Sequence, residues 1–300
     1  MHNDRPLLGI LLMATFCVMA PFADAVAKVL GGTVPVIQIV TFRFIFQVLI
    51  LLPIVLLTKR DLRMNRRTLG LLFLRSILHI IGIGAMFLSL IYLPLAEAIA
   101  IAFVEPFLLL LLGWLFLKEH VGPHRLIACA IGFVGTLLVI QPSFANVGAA
   151  ALLPLVVAVA FAGFMIVTRQ LTAKSDPVTL QAVSGGMALL VLALVLWITS
   201  AYKIPALTLI TPSDADLALL AILGVLGTLA HLVMTWSLKF APTATLAPVQ
   251  YLEIAFATLI GWLIFKDFPN GLAAIGILIT IAAGLYIVMR ERRLAINSIA

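Results

Sequence analysis

Ten apolar runs of about 20 residues each follow one another along this 300-residue chain, and no other feature restricts its fold as much. A helix rises 1.5 Å per residue, so each run is long enough to cross a bilayer core of roughly 30 Å. The spans fall at about 7–29, 34–57, 69–91, 94–117, 123–141, 149–170, 177–199, 214–238, 242–265 and 270–289. Only 10% of the residues are charged, against roughly a quarter in soluble domains. The intervening loops are too short to fold as a separate aqueous domain. No G-x-x-x-x-G-K-[ST] phosphate loop occurs, which excludes nucleotide-driven pumping within this chain. The first span ends in Phe22-Ala23-Asp24-Ala25, in the manner of a secretory signal. With nine more spans behind it, retention as a membrane helix is expected. Cys17 and Cys129 both fall inside spans, so buried inert thiols are expected, with no disulfide, metal or cofactor.

Orientation follows the Lys and Arg content of short loops. With the N-terminus in the cytoplasm, the inner segments hold 14 basic residues and the outer loops 3, namely Lys28, Lys203 and Lys266. The remaining two, Arg43 and Arg75, lie inside spans. Both termini are therefore expected on the cytoplasmic side of a bacterial inner membrane. The net charge of +7 is scattered over the inner rim, so it reads as a topology signal and not as a nucleic-acid site.

A shift of 148 residues lays the chain on itself without a gap. Pro94 meets Pro242, Ala96 meets Ala244, Glu105 meets Glu253, Gly113-Trp114-Leu115 meets Gly261-Trp262-Leu263, and Lys118-Glu119 meets Lys266-Asp267. In spans 5 and 10, Ala128, Gly132 and Thr136 fall on Gly276, Thr280 and Gly284. Those small residues four apart let helices approach closely, inside one bundle or across a homodimer interface. Earlier parts match more weakly, Phe22 on Phe164 and Pro35-Val36 on Pro177-Val178. The expected fold class is therefore an all-α integral membrane protein of ten transmembrane helices in two five-helix repeats, residues 1–146 and 147–300. Five is odd, so the second repeat must enter the membrane inverted, an arrangement found in secondary transporters with a midplane site.

The segment YLPLAEAIAIAFVEPF, the following GFVGTLLVIQP and the two five-helix halves resemble the EamA family of the drug/metabolite transporter superfamily. The resemblance covers essentially the whole chain. It implies a basket-like bundle around a central cavity, alternating access and export of small metabolites, as in bacterial YddG-like amino-acid exporters. Bacterial S-adenosylmethionine carriers and animal organic-anion carriers are similar around the same Pro-Leu-Ala-Glu segment, so the resemblance does not single out a substrate.

Glu105 and Glu253 each lie eleven residues past a proline, about 16 Å along a helix. An ionised carboxylate at that depth costs several kcal/mol against lipid, so both are expected to face the bundle interior. They would serve a proton relay or substrate contact, or else a structural ion pair or hydrogen-bonded bridge. Pro106 and Pro248 each remove a backbone donor and are expected to kink spans 4 and 9. Glu97, near the outer interface, is expected to be solvated, and Asp24 and Lys28 to form a local i,i+4 pair. Arg43 sits near mid-membrane and needs a carboxylate from the protein or the substrate. The expected partner is Glu105, which would leave Glu253 free. Arg75 is expected to snorkel to the cytoplasmic face, with His79 deeper on the same side of its helix. His79, Gln181, Gln250 and Tyr251 are candidates for the substrate or proton pathway, or else hydrogen-bonding glue between helices. His231 and Trp236 are expected to anchor the inner interface.

These deep charges roughly balance, which favours a zwitterion such as an amino acid over a di-anion. An uptake carrier for S-adenosylmethionine or an organic anion is the alternative transporter reading. A membrane enzyme is disfavoured because H-E-x-x-H and G-x-S-x-G are missing, and a channel because no charge or carbonyl ring recurs.

Overall fold

A computed structural model describes residues 5–119, 121–200, 209–269 and 271–297. Among them the secondary structure is entirely helical. The long helices are α1 (Pro6–Leu30), α2 (Val36–Leu57), α3 (Arg66–Tyr92), α6 (Pro123–Val147), α7 (Leu153–Thr172), α8 (Pro177–Ser200), α9 (Asp214–Phe240) and α12 (Gly271–Asn297). Between them lie two pairs of half-helices, α4 (Leu95–Ala102) with α5 (Glu105–Leu117), and α10 (Thr243–Gln250) with α11 (Leu252–Ile260). A π turn, Gly261–Phe265, extends α11, and a 3₁₀ turn, Gly148–Leu152, precedes α7.

Eight helical stretches among the described residues are long and apolar enough to cross a membrane, each half-helix pair counting as one. The other two expected spans, α6 and α12, contribute shorter apolar stretches, Leu126–Leu138 and Gly271–Ala283. The chain is thus an integral membrane protein. Prolines start several helices because their fixed φ suits a first turn that needs no donor. Pro94 and Pro242 sit at the N-caps of α4 and α10. Three helices are capped by side chains, α8 by Asp176, which accepts from the Thr179 N–H at 3.1 Å. Asn65 accepts from the Thr68 N–H at 2.8 Å, and Ser213 and Asp216 form a capping box.

Spans 4 and 9 are broken, not merely kinked. In the first, Pro106 lacks the N–H that would carry the helix back to Ala102, and α4 ends there, with Phe103 and Val104 joining it to α5. In the second the break falls at Tyr251, three residues beyond Pro248. These breaks are at matching places, since Phe103 and Tyr251 are 148 apart, and their rings meet at 5.5 Å. Both broken spans end on a lysine in the left-handed region, Lys118 (φ 54°) and Lys266 (φ 59°).

The packing is reciprocal. α1 lies against α9 and α3 against α7; α2 meets α8, and α6 meets α12. Residues 148 apart also exchange contacts. A Cβ added to Gly113 would meet Thr243 Oγ1 at 2.7 Å, and one added to Gly261 would meet Leu95 Cβ at 3.8 Å. The α6–α12 contact consumes the small-residue faces within one chain. A Cβ at Gly135 would lie 2.6 Å from the Gly276 carbonyl oxygen, and one at Gly132 would lie 2.4 Å from the Tyr251 ring. Packing inside the bundle therefore uses those small-residue faces.

Candidate functional site

The helix breaks carry the two carboxylates. Glu105 opens α5 and Glu253 lies in the first turn of α11. Each sits where a half-helix begins, with unpaired backbone N–H groups and the positive end of the helix dipole nearby. That is the structural reason a greasy run keeps a carboxylate. Both line one cavity, which is reached by α1, α2, α3, α7 and α9 as well as by the two broken spans.

One side of the cavity is acidic. Asp24 of α1 joins Glu105 and Glu253 there, and Glu253 is within electrostatic reach of both. Gln250, at the end of α10, donates from Nε2 to Glu105 Oε1 at 3.1 Å and to the Met165 sulfur at 3.4 Å. Its carbonyl oxygen Oε1 has no partner although the residue is 3% exposed. Glu253 makes neither a hydrogen bond nor an ion pair with another described side chain.

The other side is basic. Arg43 donates to Gln47 Oε1 and, at 3.0 Å, to the Gly227 carbonyl oxygen. Gly227 has to be small here, because a Cβ would lie 3.2 Å from Arg43 Nε. His231, 8% exposed, turns its Nδ1–H onto the same Gly227 carbonyl at 2.9 Å and leaves Nε2 unpartnered. The lining also includes Phe16, Phe87, Phe103 and Phe161 with Met86 and Met234. The lining thus offers acidic, basic and apolar or aromatic groups that complement a cationic end, an anionic end and an apolar body.

Several expectations are corrected. Arg43 does not pair with Glu105. The packing of α2 on α8 and α9 draws its guanidinium toward α9, while the break before α5 turns Glu105 to α10. Lys28 does not pair with Asp24 but donates to the Leu90 and Leu93 carbonyls at 3.2 and 2.6 Å, leaving Asp24 to the cavity. Arg75 does not snorkel. It is 0% exposed, donates to Thr168 at 2.8 Å, to Gln181 Oε1 at 2.7 Å and to Ser184, and its guanidinium lies 4.3 Å from the Phe164 ring centre. Polar side chains of α7 and α8, with the Phe164 ring, cage it inside the bundle. His231 is a cavity residue and not an interface anchor, whereas Trp236 stays half-buried, stacked on Phe240 with Lys239 over its ring. Glu97 is half-buried, within reach of Lys28.

Of the other candidates, Gln181 belongs to the Arg75 cage. Tyr251 is buried outside the cavity lining, with its hydroxyl donating to the Cys129 carbonyl at 3.4 Å. His79 backs the cavity wall. Its ring meets those of His231 at 4.5 Å and Phe164 at 4.4 Å, and neither ring nitrogen has a partner. Sequence reasoning missed Asp24 and His231 as cavity residues. A signal existed for His231: the shift of 148 places it on Ile83 and Met234 on Met86, and all four line the cavity.

Comparison with known proteins agrees with this geometry. The sequence profile of the EamA-like transporter family matches residues 7–141 and again 148–290. A riboflavin transporter of Rhizobium johnstonii is 31% identical over 73% of this chain and 70% of its own length. An S-adenosylmethionine uptake transporter of Rickettsia bellii is 28% identical over 90% of this chain and 89% of its own. The pseudopaline exporter CntI of Pseudomonas aeruginosa is 27% identical over 94% and 93%. One solved crystal structure superposes with a TM-score of 0.70 over 92% of this chain and 96% of its own, at 17% identity, a likeness of fold alone.

Proposed function

Because the chain belongs to the EamA-like transporter family, and so is a membrane transporter and not an enzyme, we propose that it is a secondary carrier exporting small zwitterionic metabolites, amino acids foremost. The observation that carries the reading is the cavity itself. Three carboxyl groups line it together with Arg43, His231 and aromatic and methionine side chains. Asp24, Glu105 and Glu253 would take the substrate's amine, and Arg43 its carboxylate. A di-anion would meet too many carboxylates, which disfavours an organic-anion carrier.

Alternating access in two inverted repeats, 1–146 and 147–300, is part of the proposal. It is supported by the reciprocal helix packing, by the paired breaks at Phe103 and Tyr251, and by the double match of one family profile. The contact of Glu119, just after α5, with Thr243 at the start of α10, and the reciprocal approach of Gly261 to Leu95, support an antiparallel arrangement of the two broken spans. With the basic residues on the inner rim, both termini would be cytoplasmic in an inner membrane. No cofactor is needed.

A second reading, uptake of S-adenosylmethionine, is favoured by the Rickettsia relative and by the same acidic side and aromatic walls, which suit a cationic molecule with a flat base. Counterflow in proteoliposomes separates the readings. Preloaded amino acids should accelerate entry of their labelled forms. Acceleration by S-adenosylmethionine alone favours the second reading, and exchange of organic di-acids would refute both.

A further inference from the structure

Two hydrogen-bonded ties stand at opposite ends of the helix bundle, outside the cavity lining, and they are built from similar parts. At one end, where the Arg5 N–H donates to the Phe240 carbonyl, Arg169 of α7 reaches the last turn of α9. It donates to the Leu238 and Lys239 carbonyls at 2.7 and 3.2 Å and stands 3.7 Å from Glu119. Glu119 accepts from Thr243 Oγ1 at 2.6 Å and from the Ala244 N–H at 3.0 Å, which holds the start of α10 to the end of α5. At the far end of α1, Lys28 reaches the last turn of α3. It donates to the Leu90 and Leu93 carbonyls, lies within electrostatic reach of Asp267, and has its ammonium 5.4 Å from the Phe265 ring centre.

One clamped carbonyl and the acid of each tie are related by the 148-residue shift, and the cations take similar places. Leu90 and Leu238 are 148 apart, and so are Glu119 and Asp267. Lys28 and Arg169 each stand near the end of the first helix of their half. In each tie, therefore, a cation from the first helix of one half clamps the C-terminal carbonyls of a helix, with an acid from the end of a broken span close by: Glu119 at 3.7 Å from Arg169, and Asp267 within electrostatic reach of Lys28. The Lys-acid pair after each Gly-Trp-Leu run thereby gains a role that the cavity chemistry does not require.

We propose that Lys28 with Asp267, and Arg169 with Glu119, are the two gate latches of the carrier, each opening while the other stays shut. The inference rests on the alternating-access reading. Both ties are made at once in this structure, and a carrier that opens to one side at a time must break each in turn. Loss of a latch cation removes charge-assisted hydrogen bonds from the closed state of one end only, so it shifts the population toward opening there.

Cysteine accessibility tests this without a known substrate. Ala20→Cys puts a reporter on the cavity wall in a background with Cys17→Ala and Cys129→Ala. A membrane-impermeant methanethiosulfonate ammonium reagent is applied to right-side-out and inverted vesicles. Lys28→Met should raise labelling by about tenfold or more from the Lys28 end alone, and Arg169→Met should do so from the opposite end, as expected for loss of the two charge-assisted hydrogen bonds that each cation makes to carbonyls. Asp267→Asn and Glu119→Gln, which keep shape and remove one charge, should move labelling the same way by a smaller factor, and they replace the Met variants should those fail to accumulate. Unchanged labelling in these variants, or opening of the same side by both latches, overturns the proposal. Labelling of the parent with no shift in any variant overturns the latches alone. A reporter reached from neither side in any variant overturns the latches and the carrier reading together.

Discussion

Glu105 and Glu253 occupy equivalent places in the two halves yet should respond differently to substitution. Gln250 Nε2 donates to Glu105, while Glu253 has no side-chain partner and faces the cavity with Asp24 and Glu105 in reach. Glu105→Leu leaves the buried Gln250 amide with only the Met165 sulfur, a loss of about 2 kcal/mol. For a chain of this size that lowers the apparent Tm by roughly 3 °C. Glu253→Gln breaks nothing, so stability should change by less than about 0.5 kcal/mol. Transport should respond in the opposite order. If Glu253 binds the substrate's amine, its loss removes a charge-assisted contact of about 1.5–3 kcal/mol. That lowers the transport efficiency of the zwitterion identified by counterflow by about 10- to 150-fold. The assay is thermal unfolding of the purified protein beside initial flux in proteoliposomes. A Glu253→Gln protein that melts early, or that transports at the parent rate, would refute this division of roles.

Arg75 is held by Thr168, Ser184 and Gln181 away from the cavity lining, so Arg75→Gln should cost about 3–5 kcal/mol in thermal unfolding while flux per folded molecule stays within about twofold. Gly132→Ala drives a methyl group into the Tyr251 ring and should cost about 1–3 kcal/mol, read in the same melting assay. Outside the spans, partial burial works against the Asp176 carboxylate, but the Arg60 hydrogen bond and Thr179 hold its carboxyl below the usual range. Its contribution is present above the unfolded value near 4 and is lost as pH falls through the lower folded value. The parent should therefore lose about 0.5 kcal/mol more than Asp176→Asn between roughly pH 5 and pH 3, a figure kept small by solvent screening.

The long apolar runs, the 148-residue shift and the depth of the two glutamates were legible because length, spacing and burial cost act locally along the chain. What lay hidden was direction around each helix axis. Asp24 stands one turn before Lys28, and spacing alone favours a local pair. Only the packing of α3 beside α1 offers Lys28 the open carbonyls of Leu90 and Leu93. Arg75 looked able to reach water because a long side chain near a helix start usually can. The hydroxyls that cage it belong to α7 and α8, nearly a hundred residues or more away in sequence. The break at Tyr251 was displaced from Pro248 because a missing donor weakens a helix without fixing the residue at which it parts.

The central claim is that two inverted copies share one cavity, and Lys118 and Lys266 test it most directly. They are exposed, stand 148 residues apart and end the two broken spans in the same left-handed conformation. In intact cells, a cysteine at Lys266 should react with an impermeant maleimide, as should one at Asn146, whereas cysteines at Lys118 and Asn65 should react only after permeabilisation. Labelling of Lys118→Cys and Lys266→Cys from the same side of the membrane would contradict the inversion and the shared-cavity account built on it.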